Sequence, residues 1–208
     1  MGSRPDQPPC LFDFEHVNRY WDKRHSTWAA KILPGEYYVT THSGEAVSTT
    51  LGSCVSACIR DKKMGIGGMN HFMLPMESEF TSGDWMDSAT RYGNFAMEHL
   101  INDILKNGGK RENLEIKLTG GGKIMSNMTD VGARNITFVL NYLETEGMEV
   151  SVQDLGDIFP RKVMYFPATG VLRVKRLEAL HNRTLIQREE LYQHELEVKP
   201  DSGGVELF

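Results

Sequence analysis

Two short apolar runs, residues 55–59 and 66–74, flank the polar stretch Arg60-Asp61-Lys62-Lys63-Met64-Gly65, and this arrangement constrains the chain more than any other part of it. Runs of that length around a polar turn read as the two strands of an antiparallel hairpin. The chemistry sits at the open end. Ser48-Thr49-Thr50-Leu51-Gly52-Ser53-Cys54 leads into the first strand and Gly67-Gly68-Met69-Asn70-His71 forms the second, so a cysteine after a tight Gly-Ser pair is answered by a histidine. With a turn closed by Asp61 and Met64 and centred on Lys62-Lys63, Cys54 falls opposite His71, Ser56 opposite Met69 and Cys58 opposite Gly67. Directly opposed residues bring Cβ atoms to about 4.5–5.5 Å. A slip of one residue would send the two side chains to opposite faces.

The rest of the chain surrounds this hairpin with alternating elements. Residues 1–31, with Pro5, Pro8 and Pro9, read as an extended arm carrying a short helix around 14–23. Pro34-Gly35 marks a turn, followed by strands over 36–41 and 46–51. Residues 75–87 hold Glu77, Glu79, Asp84 and Asp87 among Phe80 and Trp85: an acidic loop that is either a substrate rim or a solvated surface. From Ser88 the spacing turns helical through Tyr92, Phe95, Ala96, His99, Leu100 and Ile104, and Gly108-Gly109 ends that helix. A strand over 114–118 runs into Gly120-Gly121-Gly122-Lys123. A second helix starts near Asp130 as N-cap and passes through Ile136, Val139, Leu140 and Leu143. Strands follow over 148–155, 162–166 and 171–174, then a charged, weakly amphipathic helix over 185–196. Irregular alternation with hairpin-like pairs predicts an α/β (α+β) fold, a mixed sheet with helices packed on it.

Composition narrows the function classes. With 208 residues and 40% hydrophobic content the chain can build a real core. A net charge of −5 gives no reason to expect nucleic acid as the main partner. No run approaches the roughly 18 apolar residues of a membrane span, and the first residues lack an apolar signal core. Three cysteines, an odd number, do not make a disulfide framework, so the expected compartment is a reducing cytoplasm. The sequons at Asn127, Asn135 and Asn182 then carry no meaning.

No metal or cofactor is expected. His16, His25, His42, His99, His181 and His194 include no pair at helical ligand spacing, and no Cys-x-x-Cys occurs. Gly120-Gly121-Gly122-Lys123 fails as a phosphate loop, because Ile124 stands where Ser or Thr would hold magnesium and Leu118 where a glycine is needed. Those glycines instead fit a sharp strand exit or a close backbone approach.

Cys10 and Cys58 read as small buried hydrophobes. Cys54 differs, because the Gly52-Ser53 turn exposes backbone N–H groups beside the sulfur and His71 can face it. A thiol with pKa about 8.5 is a few per cent thiolate at neutral pH, and an imidazole raises that fraction and later protonates the leaving group. A hydroxyl from Ser48, Thr49 or Thr50 can fix the imidazole tautomer. On spacing alone, a catalytic and a structural Cys54–His71 pair are equally open.

Beyond spacing, Leu51-Gly52-Ser53-Cys54, Gly67-Gly68-Met69-Asn70-His71-Phe72-Met73-Leu74-Pro75 and Gly132-Ala133-Arg134-Asn135 resemble the signature blocks of CheD, the chemoreceptor glutamine deamidase family of bacterial chemotaxis. Gly35-Glu36-Tyr37-Tyr38-Val39 and Thr169-Gly170-Val171-Leu172-Arg173-Val174 match in kind and order, so the likeness covers about residues 32–177, with an arm over 1–31 and a helix and tail over 178–208 outside it. The resemblance implies a cytoplasmic hydrolase that converts glutamines on methyl-accepting chemotaxis receptors to glutamates through a cysteine thioester, releasing ammonia. It also implies a layered sandwich like the catalytic domain of the cytotoxic necrotizing factor toxins, and CheC-type phosphatases as partners. It places the nucleophile at Cys54 and the imidazole at His71. The third member falls on Ser48, where the family usually has threonine, with Thr49 and Thr50 as substitutes. Gly52, Ser53 and Asn70 are the candidates for supporting the site or its oxyanion. Two other readings stand beside this one: a regulatory module that captures a phosphatase with little catalysis, and a structural protein with Cys54 and His71 in its core.

Overall fold

Val47, Leu51, Val163 and Tyr165 from one sheet and Cys58 and Met69 from another share a single buried cluster, so the two sheets pack face to face. The computed structural model describes residues 4–75, 84–124, 131–177 and 182–198. Its strands are β1 (Asn18–Asp22), β2 (Thr27–Lys31), β3 (Tyr37–Thr40), β4 (Glu45–Leu51), β5 (Val55–Asp61), β6 (Gly67–Asn70), β7 (Leu114–Gly120), β8 (Val150–Leu155), β9 (Arg161–Phe166) and β10 (Val171–Arg176). The helices are α1 (Asp84–Lys106), α2 (Val131–Thr145) and α3 (Asn182–Val198). One sheet runs β1-β2-β4-β9-β10 and the other β3-β6-β5-β7-β8. Each is mixed, with β2 parallel to β4 in the first and β7 parallel to β8 in the second.

Helices α1 and α2 cover the far face of the second sheet. α1 lies on β3, β5 and β6, and its stripe of Met97, Leu100, Ile101 and Ile104 joins the core at helical spacing. α2 adds Val131, Val139 and Leu143 over β5. Strand β5 is therefore buried on both faces, which explains its near-continuous run of buried side chains. The expected α/β architecture of mixed sheet and flanking helices holds, with two sheets rather than one. Among the described residues, no helix is long and apolar enough to cross a membrane.

Four expectations need correction or fall outside the description. The helix expected over 14–23 does not form: a short 3-10 turn at Phe12–Phe14 is followed by β1, which pairs with β2. The aromatic residues decide this, since Trp21 opposes Trp28 with their rings 6.0 Å apart, and aromatic cross-strand pairs favour strand over helix. α1 begins at Asp84 rather than Ser88. The rest of the acidic loop, residues 76–83, and the N-cap expected at Asp130 lie outside the described residues.

The hairpin register also differs. Cys58 pairs with Met69, Ile59 with Gly68 and Arg60 with Gly67, and an isolated bridge joins Val55 to Phe72. Lys62-Lys63 cannot supply the positive φ of a two-residue hairpin turn. The chain instead extends the loop to residue 65, where Gly65 takes φ 70°. The Asp61 N–H then donates to the Ile66 carbonyl at 2.8 Å, and Asp61 Oδ1 caps the loop by accepting from the N–H groups of Lys63 and Met64 at 2.7 and 2.9 Å. The displacement is two residues, so every side chain stays on its expected face.

Candidate active site

The site lies where the Cys54 end of β5 meets β4 of the facing sheet. Continuing the register beyond Val55 and Phe72 places Cys54 opposite Met73, so His71 is its diagonal neighbour on the same face. Such neighbours are about 7–8 Å apart at the backbone, within reach of long side chains. Cys54 and His71 are both buried.

Strand β4 supplies the third group, and its alternation selects which. Val47 and Leu51 point into the inter-sheet core while Ala46 belongs to a small cluster on the outer face. Thr49 therefore faces inward and Ser48 outward. Thr49 Oγ1 lies 2.8 Å from His71 Nδ1 and donates to the Ile32 carbonyl at 2.9 Å. Ser48, the residue expected in this role, instead meets the Tyr20 hydroxyl at 3.2 Å on the other face and donates to the Ala30 carbonyl. Thr50 shares that outward parity.

The Thr49 geometry fixes the histidine tautomer. A carbonyl only accepts, so the single hydroxyl proton goes to Ile32, and Thr49 Oγ1 must accept from Nδ1–H. Nε2 then carries the lone pair. Among the described residues Nε2 has no hydrogen-bond partner, the Cys54 thiol included. Burial pushes the imidazole down to about 3, so the ring is neutral.

The Gly52-Ser53-Cys54 turn is held from behind through all three of its carbonyls. Gly122 N–H donates to the Gly52 carbonyl at 2.8 Å and Gly121 N–H to the Cys54 carbonyl at 2.7 Å. Asn135 of α2 donates through Nδ2 to the Ser53 carbonyl at 2.9 Å, while its Oδ1 accepts from Leu74 N–H at 2.9 Å. The glycine stretch thus makes the close backbone approach that its composition favours. Asn135 locks the cysteine turn to the segment after His71. Arg134 extends the clamp by donating to the Pro75 carbonyl at 2.6 Å.

The Gly52 carbonyl, held by Gly122, turns the Ser53 N–H of the same peptide plane the other way, and beside the Gly52 N–H it forms an anion nest. Both donate to Oε1 of Glu189 on α3, at 2.9 and 3.0 Å. The Ser53 hydroxyl donates to Oε2 at 2.6 Å. A Cβ on Gly52 would lie 2.6 Å from that same Oε1, so only glycine leaves room for an oxygen there. Burial, and then the Glu189 carboxylate beside it, raise the Cys54 thiol well above its ordinary pKa.

Of the expected support residues, Gly52 and Ser53 form the nest. Asn70 does not reach it: its Oδ1 accepts from Ala57 N–H at 2.8 Å and its Nδ2 donates to the Ala96 carbonyl at 3.0 Å, tying β5, β6 and α1 together. Cys58 is buried in the core, and Cys10 packs against it partly exposed. Among the described residues, no group of acidic, histidine and cysteine side chains could hold a metal. Sequence reasoning ranks Thr49 only as a substitute, although the apolar positions Val47 and Leu51 already mark its face. It gives Asn135 no role and misses Glu189, for which a weakly amphipathic helix offers no local signal.

The family model described as CheD chemotactic sensory transduction matches residues 73–176. A protein of Halorhodospira halophila named probable chemoreceptor glutamine deamidase CheD is 54% identical over 97% of this chain and 94% of its own length. Proteins of the same name from Methylobacillus flagellatus and Hahella chejuensis are 53% and 49% identical, covering 92% and 99% of this chain and 95% and 97% of their own. On this likeness, which runs through the cysteine turn, the histidine strand and the α2 clamp alike, the chain belongs to the CheD family.

Proposed function

We propose that this protein deamidates glutamine side chains of chemoreceptors, using Cys54 as nucleophile, His71 as proton carrier and Thr49 as the group that orients the imidazole. The observation that carries the reading is the nest: two backbone N–H groups converge on one oxygen beside a cysteine whose diagonal neighbour is a histidine with a free Nε2. The names of the full-length relatives supply the substrate class.

The chemistry follows from these positions. The Cys54 thiol proton passes to His71 Nε2 as Sγ attacks the glutamine side-chain carbonyl. The new C–S bond leaves an oxyanion that the Gly52 and Ser53 N–H groups hold. Collapse breaks the C–N bond, and His71 returns its proton so that ammonia leaves. Water, deprotonated by Nε2, then attacks the thioester, releases glutamate and restores the thiol. A cavity of about 340 Å³ between α1 and α3 has His71 in its lining. In the same reading the protein works in the cytoplasm on the helices of its receptors, a CheC-type phosphatase is a second partner, and the sandwich is akin to the cytotoxic necrotizing factor catalytic domain.

The test is intact-mass analysis of a receptor cytoplasmic fragment incubated with the protein. Each converted glutamine adds the small mass difference of an amide-to-acid exchange. Conversion by wild type that is lost in Cys54→Ala and His71→Ala is the expected result. An unmodified fragment, with folded wild-type protein, rejects the reading. Thr49→Ala should forfeit part of the roughly 10²–10⁴-fold that acid–base catalysis contributes, with recovery in Thr49→Ser. Ser48→Ala should leave the rate unchanged; the reverse pattern would restore Ser48 as the third member.

A further inference from the structure

The helix that supplies Glu189 is placed as a substrate would be, and nothing in the deamidation mechanism requires it. Glu189 is 2% exposed and stands 137 residues from Gly52 in the chain. Its carboxylate takes three donors from the turn that precedes the nucleophile: two backbone N–H groups and the Ser53 hydroxyl. A glutamate side chain is the product of glutamine deamidation. Replace Oε2 by NH₂, and the side chain becomes the substrate amide, its carbonyl oxygen already held by both nest donors.

We propose that α3 is a built-in product mimic: Glu189 occupies the seat of the receptor glutamine, and an incoming receptor helix must displace α3 to be deamidated. The inference rests on the deamidase reading above and adds one thing to it: the resting protein holds that site closed with its own helix.

Three further observations agree. The inward face of α3 is Leu185, Glu189, Tyr192, Gln193 and Leu196, so polar groups sit where a permanently packed helix would carry aliphatic ones. Gln193 is buried with its Nε2 unpartnered among the described residues, a cost that an optimally seated helix avoids. Tyr192, Glu195 and Leu196 line one wall of the 340 Å³ cavity, so the helix does not fill its groove. While α3 is seated, moreover, the carboxylate helps keep the thiol protonated beside a neutral imidazole, an unreactive pair.

The experiment turns the mimic into a substrate. Full-length Glu189→Gln places an amide in the seat. Attack by Cys54, loss of ammonia and hydrolysis of the thioester by water would return residue 189 to glutamate within the same chain. Peptide mass mapping of the purified variant should find glutamate at position 189, and the Glu189→Gln, Cys54→Ala double variant should keep its glutamine. In the same preparations the receptor fragment is assayed. A Glu189→Gln protein that deamidates the receptor but keeps the introduced glutamine overturns the product-mimic placement and leaves the deamidase reading intact. If neither wild type nor variant converts the receptor or residue 189, the deamidase reading falls and takes this inference with it. Should Glu189→Gln fail to fold, Glu189→Ala decides through iodoacetamide labelling read at the Cys54 peptide. Labelling severalfold faster than wild type is expected, and equal rates overturn the closure.

Discussion

Helices α1 and α2 pack on the second sheet while α3 sits over the cysteine turn, and the two kinds of helix are built on opposite principles. α1 presents Met97, Leu100, Ile101 and Ile104 to the core, all at most 3% exposed. α3 presents Glu189 and Gln193 at the equivalent depth, flanked by Leu185 and Tyr192. Apolar burial is non-directional and adds up along a helix. A buried carboxylate is tolerated only when its partners are in place, and otherwise costs several kcal/mol. The first kind of contact makes a permanent layer. The second makes a contact conditional on one site, and suits a helix that has to leave. Stability and accessibility of the catalytic turn are thus assigned to different helices: Asn135 of α2 holds the turn, and Glu189 of α3 covers it.

Truncating one side chain in each kind of helix puts the contrast under the greatest strain. Leu100→Ala in α1 should lower unfolding stability by about 2–5 kcal/mol, read by urea denaturation. Glu189→Ala should change global stability far less while exposing Cys54. Equal losses would mean that α3 is as integral as α1.

Acid separates the permanent core from its titratable insertions. His71 is buried neutral, with its pKa lowered to about 3 from 6.5. The unfolded chain binds the proton first, so the contribution is fully present above about pH 6.5 and is lost as pH falls toward 3. Denaturation midpoints measured between pH 7 and 5, above the carboxylate range, should decline in wild type and stay flatter in His71→Leu. Parallel declines would show that His71 is not the group responsible.

A smaller effect is expected from fastening α3 in place. Gln193→Leu removes the unpartnered amide and should stabilise the seated helix by about 1 kcal/mol. It should slow receptor deamidation up to about fivefold, since 1.4 kcal/mol is a factor of ten. Faster turnover in this variant would contradict a helix that must leave. Smallest of all, Glu190→Ala, one residue along but exposed, should stay within about 0.5 kcal/mol of wild type and deamidate normally.

Much of the fold is legible in the sequence because its signals are local. Strands β3 to β10 and all three helices follow from apolar runs, helical spacing and Gly or Pro punctuation. The shared face of Cys54 and His71 follows from the period of two, and survives a register error of two residues because parity is preserved. The same period in β4 already separates Thr49 from Ser48, although counting back from the cysteine favours Ser48. The N-terminal hairpin reads as an arm because β1 and β2 are stabilised by cross-strand aromatics and by pairing with β4, partners that a window over residues 14–23 does not contain.

Local sequence therefore specifies the elements, the pairing of a thiol with an imidazole on one strand face, and the glycines at which backbones approach. What meets at the cysteine turn is settled by the folded arrangement alone. The Gly52 carbonyl tied down by Gly122 aims the Ser53 N–H outward beside that of Gly52, Gly121 and Asn135 hold the rest of the turn, and a carboxylate from the far end of the chain fills the nest. Hydrogen-bond direction is set by the orientation of whole peptide planes, and that orientation depends on residues distant in sequence. A carboxylate on the inward face of a helix carries no mark, in its own sequence, of the site it covers.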